Sequence, residues 1–333
     1  MSDMAHGKTA LVIGATGGVG GAAAAALVKR GWHVTALNRD PFAAARRHAD
    51  AGLTWVGGDA MNPDDVARAA KGASLVFHGA NPPGYRNWKG LALPMLESSL
   101  AAAKANGARL VLPGNVYNYG PDAGDVVAED APQNPLTRKG AIRVEMERRI
   151  EMSGVKALIV RAGDFFAPSF GSNWFAQGLV TPGKLLASIS YPGDLGIGHQ
   201  WAYLPDLGAT FAELAERERD LPHFARFHFG GHWLQPGGEM AEAIRRVAGR
   251  PDLPIRRLPW WLLRLVAPFN ETLREMMEMR YLWQRPLRLL NGRLISVLGA
   301  EPHTPLDAAV RATLVSLGCL TTDAAPEAAL RVA

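Results

Sequence analysis

Three glycines at a spacing of three, Gly14, Gly17 and Gly20, fall within the run Gly14-Ala15-Thr16-Gly17-Gly18-Val19-Gly20. A short apolar run, Thr9-Ala10-Leu11-Val12-Ile13, precedes them, and an alanine-rich stretch reaching Arg30 follows. A glycine turn between a buried strand and a helix lets backbone approach an anion closely, and the helix N-terminus favours negative charge there. In that setting the pattern reads as a seat for the pyrophosphate of a dinucleotide, formed by Gly14, Thr16, Gly17, Gly18, Val19 and Gly20.

The end of the next strand, Leu37-Asn38-Arg39-Asp40, bears on which dinucleotide fits. Sites that take NAD usually place an acid there to accept from the ribose hydroxyls. Asn38 and Arg39 instead offer a neutral amide and a cation, and Arg39 can pair with a 2′-phosphate. NADP is therefore expected, with NAD as the alternative because Asp40 follows. Asp59 and Ala60 would lie near the adenine, unless Asp59 caps the helix beginning at Pro63. Gly79, Ala80 and Asn81 would line the channel near the second ribose, with His78 packed at a strand end.

These residues require a particular scaffold. The first 160 residues alternate short apolar runs with longer helical patterns, the rhythm of a parallel sheet covered by helices. Strands are expected at 9–13, 33–37, 53–56, 74–77, 109–112 and 155–160. Asn62-Pro63-Asp64-Asp65 opens a helix with a capping residue, a proline in the first turn and acids near the positive dipole end. The fold class is α/β, a doubly wound parallel Rossmann-type sheet with ligands at the strand C-terminal ends. Ten Pro and Gly residues between Gly163 and Gly198 then change the character of the chain. Strands near 200–204 and 227–229 and a helix from about Gly238 follow. From Leu258 the pattern is amphipathic and rich in Trp, Leu, Met and Arg. Residues 1–164 are read as the dinucleotide-binding domain, joined again by about 195–230. Residues 165–194 and 231–325 are read as a smaller, mostly helical substrate lobe.

With 333 residues, 48% hydrophobic, the chain can build a sizeable core. The net charge of +5 comes from scattered Lys and Arg with no nucleic-acid motif, so no nucleic-acid partner is expected. One cysteine, Cys319, excludes a disulfide scaffold or a Cys-rich metal site. No signal-type apolar region opens the chain, and Leu258–Phe269 is too short and too broken to span a bilayer. A cytoplasmic protein with no membrane partner is the expectation.

On these pieces the chain resembles the extended short-chain dehydrogenase/reductase superfamily, in the branch of NAD-dependent epimerases and dehydratases. The resemblance rests on the glycine turn, Gly58-Asp59, Asn115-Val116-Tyr117-Asn118-Tyr119-Gly120, Val160-Arg161-Ala162-Gly163-Asp164-Phe165-Phe166, Tyr203-Leu204-Pro205-Asp206-Leu207 and Gly299–Leu306. The family implies a Ser or Thr after the fifth strand and a Tyr-x-x-x-Lys pair on the following helix, the Tyr moving the proton. Here Asn115 occupies the first position, Lys139 stands where the Tyr would and Arg143 where the Lys would, with Glu147 one turn on. Spacing of four puts these three on one helical face. Either Lys139 reaches the substrate carbonyl as acid or electrostatic stabiliser, helped by Arg143, or the three form a solvated charged stripe or bind only ribose and phosphate. Tyr117 is an alternative proton donor, and Tyr119 is expected to pack structurally.

Substrate contacts are expected from Tyr85 and Trp88 in the loop after the fourth strand, and from Asp164, Phe165 and Asn173 in the lobe, with His199 and Gln200 nearby. Aromatic walls with a few polar groups suit a small organic molecule. The leading expectation is an NADP(H)-dependent oxidoreductase acting on a carbonyl or hydroxyl. The alternatives are a nucleotide-sugar epimerase or dehydratase, with Arg256, Arg257 and Arg280 as a diphosphate clamp, and a catalytically inactive NADP(H)-binding sensor or scaffold. A homodimer could form through Leu93, Leu96, Leu100 and Ala103, which would equally pack on the sheet.

Overall fold

A computed structural model describes residues 8–82, 87–169 and 173–321. In chain order the first half runs β1 (Thr9–Ile13), α1 (Gly18–Lys29), β2 (His33–Asn38), α2 (Pro41–Arg47), β3 (Thr54–Gly57), α3 (Pro63–Ala69), β4 (Leu75–His78), α4 (Trp88–Asn106), β5 (Arg109–Asn115), β6 (Val126–Val127), α5 (Arg138–Met152) and β7 (Ala157–Ala162). The second half runs β8 (Asp164–Phe166), β9 (Ile189–Tyr191), β10 (His199–Tyr203), α6 (Leu204–Glu216), β11 (Phe224–His228), β12 (His232–Leu234), α7 (Glu239–Ala248), β13 (Ile255–Arg257), α8 (Trp260–Val266), α9 (Glu271–Glu278), β14 (Arg288–Leu289), α10 (Gly292–Leu298) and α11 (Leu306–Ser316).

Side chains that satisfy orphan N–H groups set several helix starts. Asp40 accepts from the Ala43 amide to open α2, Asn62 from Asp64 to open α3, and Thr137 from Gly140 to open α5. Proline stands in the first turn of α2 and α3, where its missing N–H costs nothing.

The main sheet has the order β11-β7-β5-β4-β1-β2-β3, and every pairing in it is parallel. The chain winds outward through β2 and β3, then returns to β4 on the other side of β1. That reversal opens a crevice above the C-terminal ends of β1 and β4. The sequence pattern accounts for six of the strands. The seventh, β11, begins three residues before the expected run at 227–229 and adds to the edge beside β7. Helix α6, also from the second half, packs Leu207, Phe211 and Leu214 into one core with Ala23, Ala24 and Leu27 of α1.

The lobe is less purely helical than its composition suggests. Strands β12, β10 and β8 form a small sheet, and β13 pairs with β9 and β14 with β6. Its core gathers Phe166, Phe175, Trp201 and Trp283 with α7 and α11. On α4, Leu96, Leu100 and Ala103 are buried with Val66 and Leu110 in the protein's own core, with Leu93 packed against them. The face proposed for a homodimer is thus spent on the sheet.

Candidate functional site

A cavity of about 660 Å³ fills the crevice and extends toward the lobe. Its floor is the glycine turn, where Gly14, Thr16, Gly17, Gly18, Val19 and Gly20 all reach the surface of the cavity. Gly14 has a φ of +88°, and a Cβ there would sit 2.5 Å from the Gly79 carbonyl oxygen. A Cβ on Gly20 would come within 2.3 Å of the Gly14 oxygen. The backbone is therefore folded as closely as two missing side chains permit. The first turn of α1 holds no acidic residue, and its N-cap, Gly17, makes no side-chain capping bond. A helix start of this kind carries partial positive charge and unspent N–H donors, which fits a bound pyrophosphate.

Asn38, Arg39, Asp59 and Ala60 line the end of the cavity above β2 and β3, and Gly79, Ala80 and Asn81 line its middle. Asp40 does not reach the cavity wall. Its carboxylate accepts from the Ala43 amide, while its own N–H donates to the Asn38 carboxamide 2.9 Å away. Arg39 is exposed, and among the described residues no carboxylate pairs with it. Asp59 accepts from the Met61 amide and stands in the wall, so it turns the loop as well as facing the cavity.

Further along, Arg143 donates to the Asn81 carboxamide oxygen at 2.9 Å and to the Pro113 carbonyl at 3.3 Å. Asn115 accepts from the Tyr117 amide at 3.0 Å, which leaves its amide N–H groups as the end it can offer the cavity. Both residues are in the wall, as are Phe165, Ser169 and Asn173 from the lobe side. Lys139 stands one turn before Arg143 on α5 and is 4% exposed. Its ammonium lies 5.8 Å from the Trp88 ring, and the Arg143 guanidinium lies 5.1 Å from the same ring. Lys139 and Trp88 therefore form a layer behind the wall and do not line the cavity. The solvated stripe considered from the sequence does not exist, because Lys139, Arg143 and Glu147 are all buried.

Glu147 belongs to a polar network beneath the site. It receives both nitrogens of the Arg161 fork, at 2.9 and 2.5 Å, and the Asn118 amide at 2.9 Å. Arg161 also donates to the Tyr119 hydroxyl, which lies 2.7 Å from Nε2 of His228. Burial pushes the Tyr119 phenol up to about 12. Tyr119 is thus a structural residue, as the resemblance implies. Tyr117, the alternative proton donor, packs with Val116, Met279 and Leu282 and is not part of the cavity wall.

Other expected contacts fall elsewhere. Asp164 accepts from His199 at 2.9 Å, and the His199 ring stacks on Trp283 at 3.9 Å. Gln200 donates to the Gly230 carbonyl and accepts from Leu289 N–H. All three polar groups are engaged inside the lobe. Of the lobe arginines, Arg280 lies over Trp260, Arg257 pairs with Asp194 at 3.3 Å, and Arg256 is exposed on β13. Tyr85 lies outside the described residues. Leu91 and Met95 of α4 and Leu204 of α6 complete the wall, and sequence reading did not single them out for it. For the two on α4 the available signal was the helical spacing of Trp88, Leu91/Ala92 and Met95 at steps of three and four.

Three buried histidines add a pH dependence. His78 and His228 are each pushed down to about 3, by burial and then by Arg143 and Arg161 respectively. His232 is pushed down to about 4, by burial and then by His303. Unfolded, each would protonate near 6.5, so below that pH the unfolded chain binds more protons and stability falls on acidification. Each histidine contributes at most about 1.4 kcal/mol per pH unit, down to its folded pKa. The melting temperature is expected to be several degrees lower at pH 5 than at pH 7, and equal values would contradict this reading.

Residues 14–172, a little under half of the chain, match the family described as NAD(P)H-binding. No curated protein matches the chain by sequence. Among solved structures the chain is similar to the enzyme WbmH of Bordetella bronchiseptica in complex with NAD+, at 21% identity and a TM-score of 0.67, covering 93% of this chain and 98% of that one. It is similar to the UDP-N-acetylglucosamine 4-epimerase of Bacillus cereus at 14% identity and 0.69, covering 92% and 99%. It is also similar to the UDP-glucuronic acid 4-epimerase of Bacillus cereus in complex with NAD at 13% and 0.70, covering 93% and 98%. The chain shares its Rossmann-like α/β fold with these structures over nearly its whole length. Among the described residues no helix is long and apolar enough to cross a membrane, and no group of three His, Cys, Asp or Glu residues could hold a metal.

Proposed function

We propose that this protein is an NADP(H)-dependent oxidoreductase acting on a carbonyl or hydroxyl group of a small organic molecule. The observation that carries the cofactor choice is the end of β2, where Asp40 is committed to capping α2 and Arg39 stands at the wall. An Asp free to accept from a ribose would oppose a 2′-phosphate, whereas an unpaired guanidinium attracts one.

When bound, the cofactor supplies or accepts a hydride at its nicotinamide. The chain's own part is to hold the reacting oxygen. Asn115 and Arg143 face one stretch of the cavity, and donors fixed there stabilise negative charge on a carbonyl oxygen. Arg143 is aimed by Asn81 and by the Pro113 carbonyl, and Trp88 backs it. Lys139 shares that ring and raises the positive potential behind the wall. It is assigned a positioning role in place of the direct proton donation expected from the sequence.

The cavity continues past Asn115 and Arg143 to Phe165, Ser169 and Asn173, leaving room for a substrate. This favours an enzyme over a sensor whose lobe closes on the nicotinamide. The solved relatives named above include nucleotide-sugar epimerases. Here Arg256, Arg257 and Arg280 do not line the cavity, so they provide no diphosphate clamp there.

The test is titration with NADPH and NADH, repeated on Arg39→Asp. The wild-type protein is expected to prefer NADPH, and the variant to lose about 10- to 100-fold in NADPH affinity with little change for NADH, as befits one charge-assisted contact. Tighter binding of NADH by the wild-type protein would refute the cofactor choice.

A further inference from the structure

Helix α8 and the turn after it present an apolar face to solvent that neither the cavity nor the lobe core uses. Trp261 is 70% exposed, Leu265 63% and Phe269 91%, with Leu262 and Val266 beside them. The opposite side of the same segment is firmly held. Trp260 is buried, its indole N–H donates to the Pro192 carbonyl at 2.6 Å, and its ring lies 6.1 Å from that of Trp174. Ala267 is buried as well. The exposed face is therefore a fixed feature of the lobe. Other exposed apolar residues, such as Phe42, Met152 and Val126, come from separate elements, whereas these five fall within nine consecutive residues.

The stretch that carries this face is basic: from Ile255 to Arg280 five arginines outnumber three glutamates, Glu271, Glu275 and Glu278 of α9. From Ile255 to Phe269 the chain carries Arg256, Arg257 and Arg264 and no acidic residue. All three are exposed, and only Arg257 meets a carboxylate among the described residues, the exposed Asp194. An apolar face containing Trp and Phe, bordered by arginines, is the composition of a segment that lies in the plane of a lipid–water interface. A second copy of the chain is the competing occupant of the same face. The net charge of +5 adds attraction to an anionic surface.

We propose that α8 and the turn through Phe269 dock the protein on an anionic lipid surface. Trp261, Leu265 and Phe269 enter the interfacial layer, and Arg256, Arg257 and Arg264 meet the head groups. The contact is peripheral, since the segment is far too short to span a bilayer. It replaces the expectation of no membrane partner, which considered spanning segments alone.

The experiment is cosedimentation of the full-length protein with phosphatidylcholine vesicles containing about one third phosphatidylglycerol, and with pure phosphatidylcholine vesicles. Binding to the anionic vesicles is expected to be at least about tenfold stronger and to weaken with added salt. The triple variant Trp261→Ser/Leu265→Ser/Phe269→Ser should lose that binding while still binding NADPH as the wild-type does. Arg264→Glu should weaken it on anionic vesicles. A wild-type protein that stays in the supernatant overturns the proposal, whatever the variants do. So does a wild-type dimer that the triple variant converts to a monomer, because the face would then be a contact between copies. Neither result bears on the cofactor or the reaction.

Discussion

Glu147→Ala is expected to cost the fold about 3–5 kcal/mol, the penalty for leaving a buried cation without its partner. Both Glu147 and Arg161 are buried, and Glu147 takes both nitrogens of the Arg161 fork while also holding Asn118. The alanine would strand the guanidinium beside Tyr119 and His228, where no other carboxylate among the described residues reaches it. Because Arg161 lies on β7, Glu147 on α5 and His228 on β11, the damage would spread across three elements of the main sheet and its cover. Urea denaturation gives the number. The double variant Glu147→Leu/Arg161→Met, which removes both charges, should be less damaging than Glu147→Ala alone. A loss below about 1 kcal/mol for Glu147→Ala would mean that water reaches the pair and the burial argument is wrong.

Gly20→Val should abolish cofactor binding while leaving the rest of the fold in place. The Cβ of even the smallest replacement would meet the Gly14 oxygen at 2.3 Å, and that oxygen belongs to backbone that cannot swing aside like a side chain. Gly14 is itself pinned against Gly79, so the strain would be relieved by moving the glycine turn off the mouth of α1. The phosphate seat depends on N–H groups aimed from that turn and helix start. NADPH affinity is expected to fall at least about a hundredfold, or about 2.7 kcal/mol. Fluorescence titration measures it, with circular dichroism to confirm the fold. Affinity within about threefold of wild type would place the seat elsewhere.

Much of this could be read from the residues because it is local. The glycine turn, the strand before it and the helix after it declare themselves within some twenty residues, and six of the seven sheet strands follow from apolar runs bounded by turn signals. The end of β2 was legible as a choice between Arg39 and Asp40. The hydrogen bond that bears on it runs from the Ala43 amide to Asp40, and helix capping by Asp is a signal that the sequence does carry. Long-range facts were harder. Helical spacing put Lys139, Arg143 and Glu147 on one face, but only packing decides that Glu147 faces Arg161 while Lys139 and Arg143 share Trp88. Asp164 reads as a substrate contact until His199, 35 residues later, is seen to hold it. The small lobe sheets were illegible for a similar reason. Strands of two or three residues give no periodicity to detect.

The return of the chain to its first sheet also constrains how the molecule can be made. Strand β11 closes the edge beside β7, and α6 lies so close on α1 that a Cβ on Gly208 would touch the Ala22 backbone at 2.5 Å. Arg30 and Glu213 are paired across the same contact. During synthesis from the N-terminus, the apolar side of α1 must therefore wait bare until residues near 216 emerge, and β7 keeps an open edge until His228 does. Position 164 marks a change in sequence character, but folding has no natural stopping point there. A nascent chain paused at 164 carries the whole glycine turn without Leu204, which packs against Gly18 at the cavity floor. Long-range pairing of this kind is slow and leaves surfaces open to aggregation. Leu204, at the start of α6, stands in the cavity wall with the glycine turn, so a ligand seated there would touch both halves of the chain.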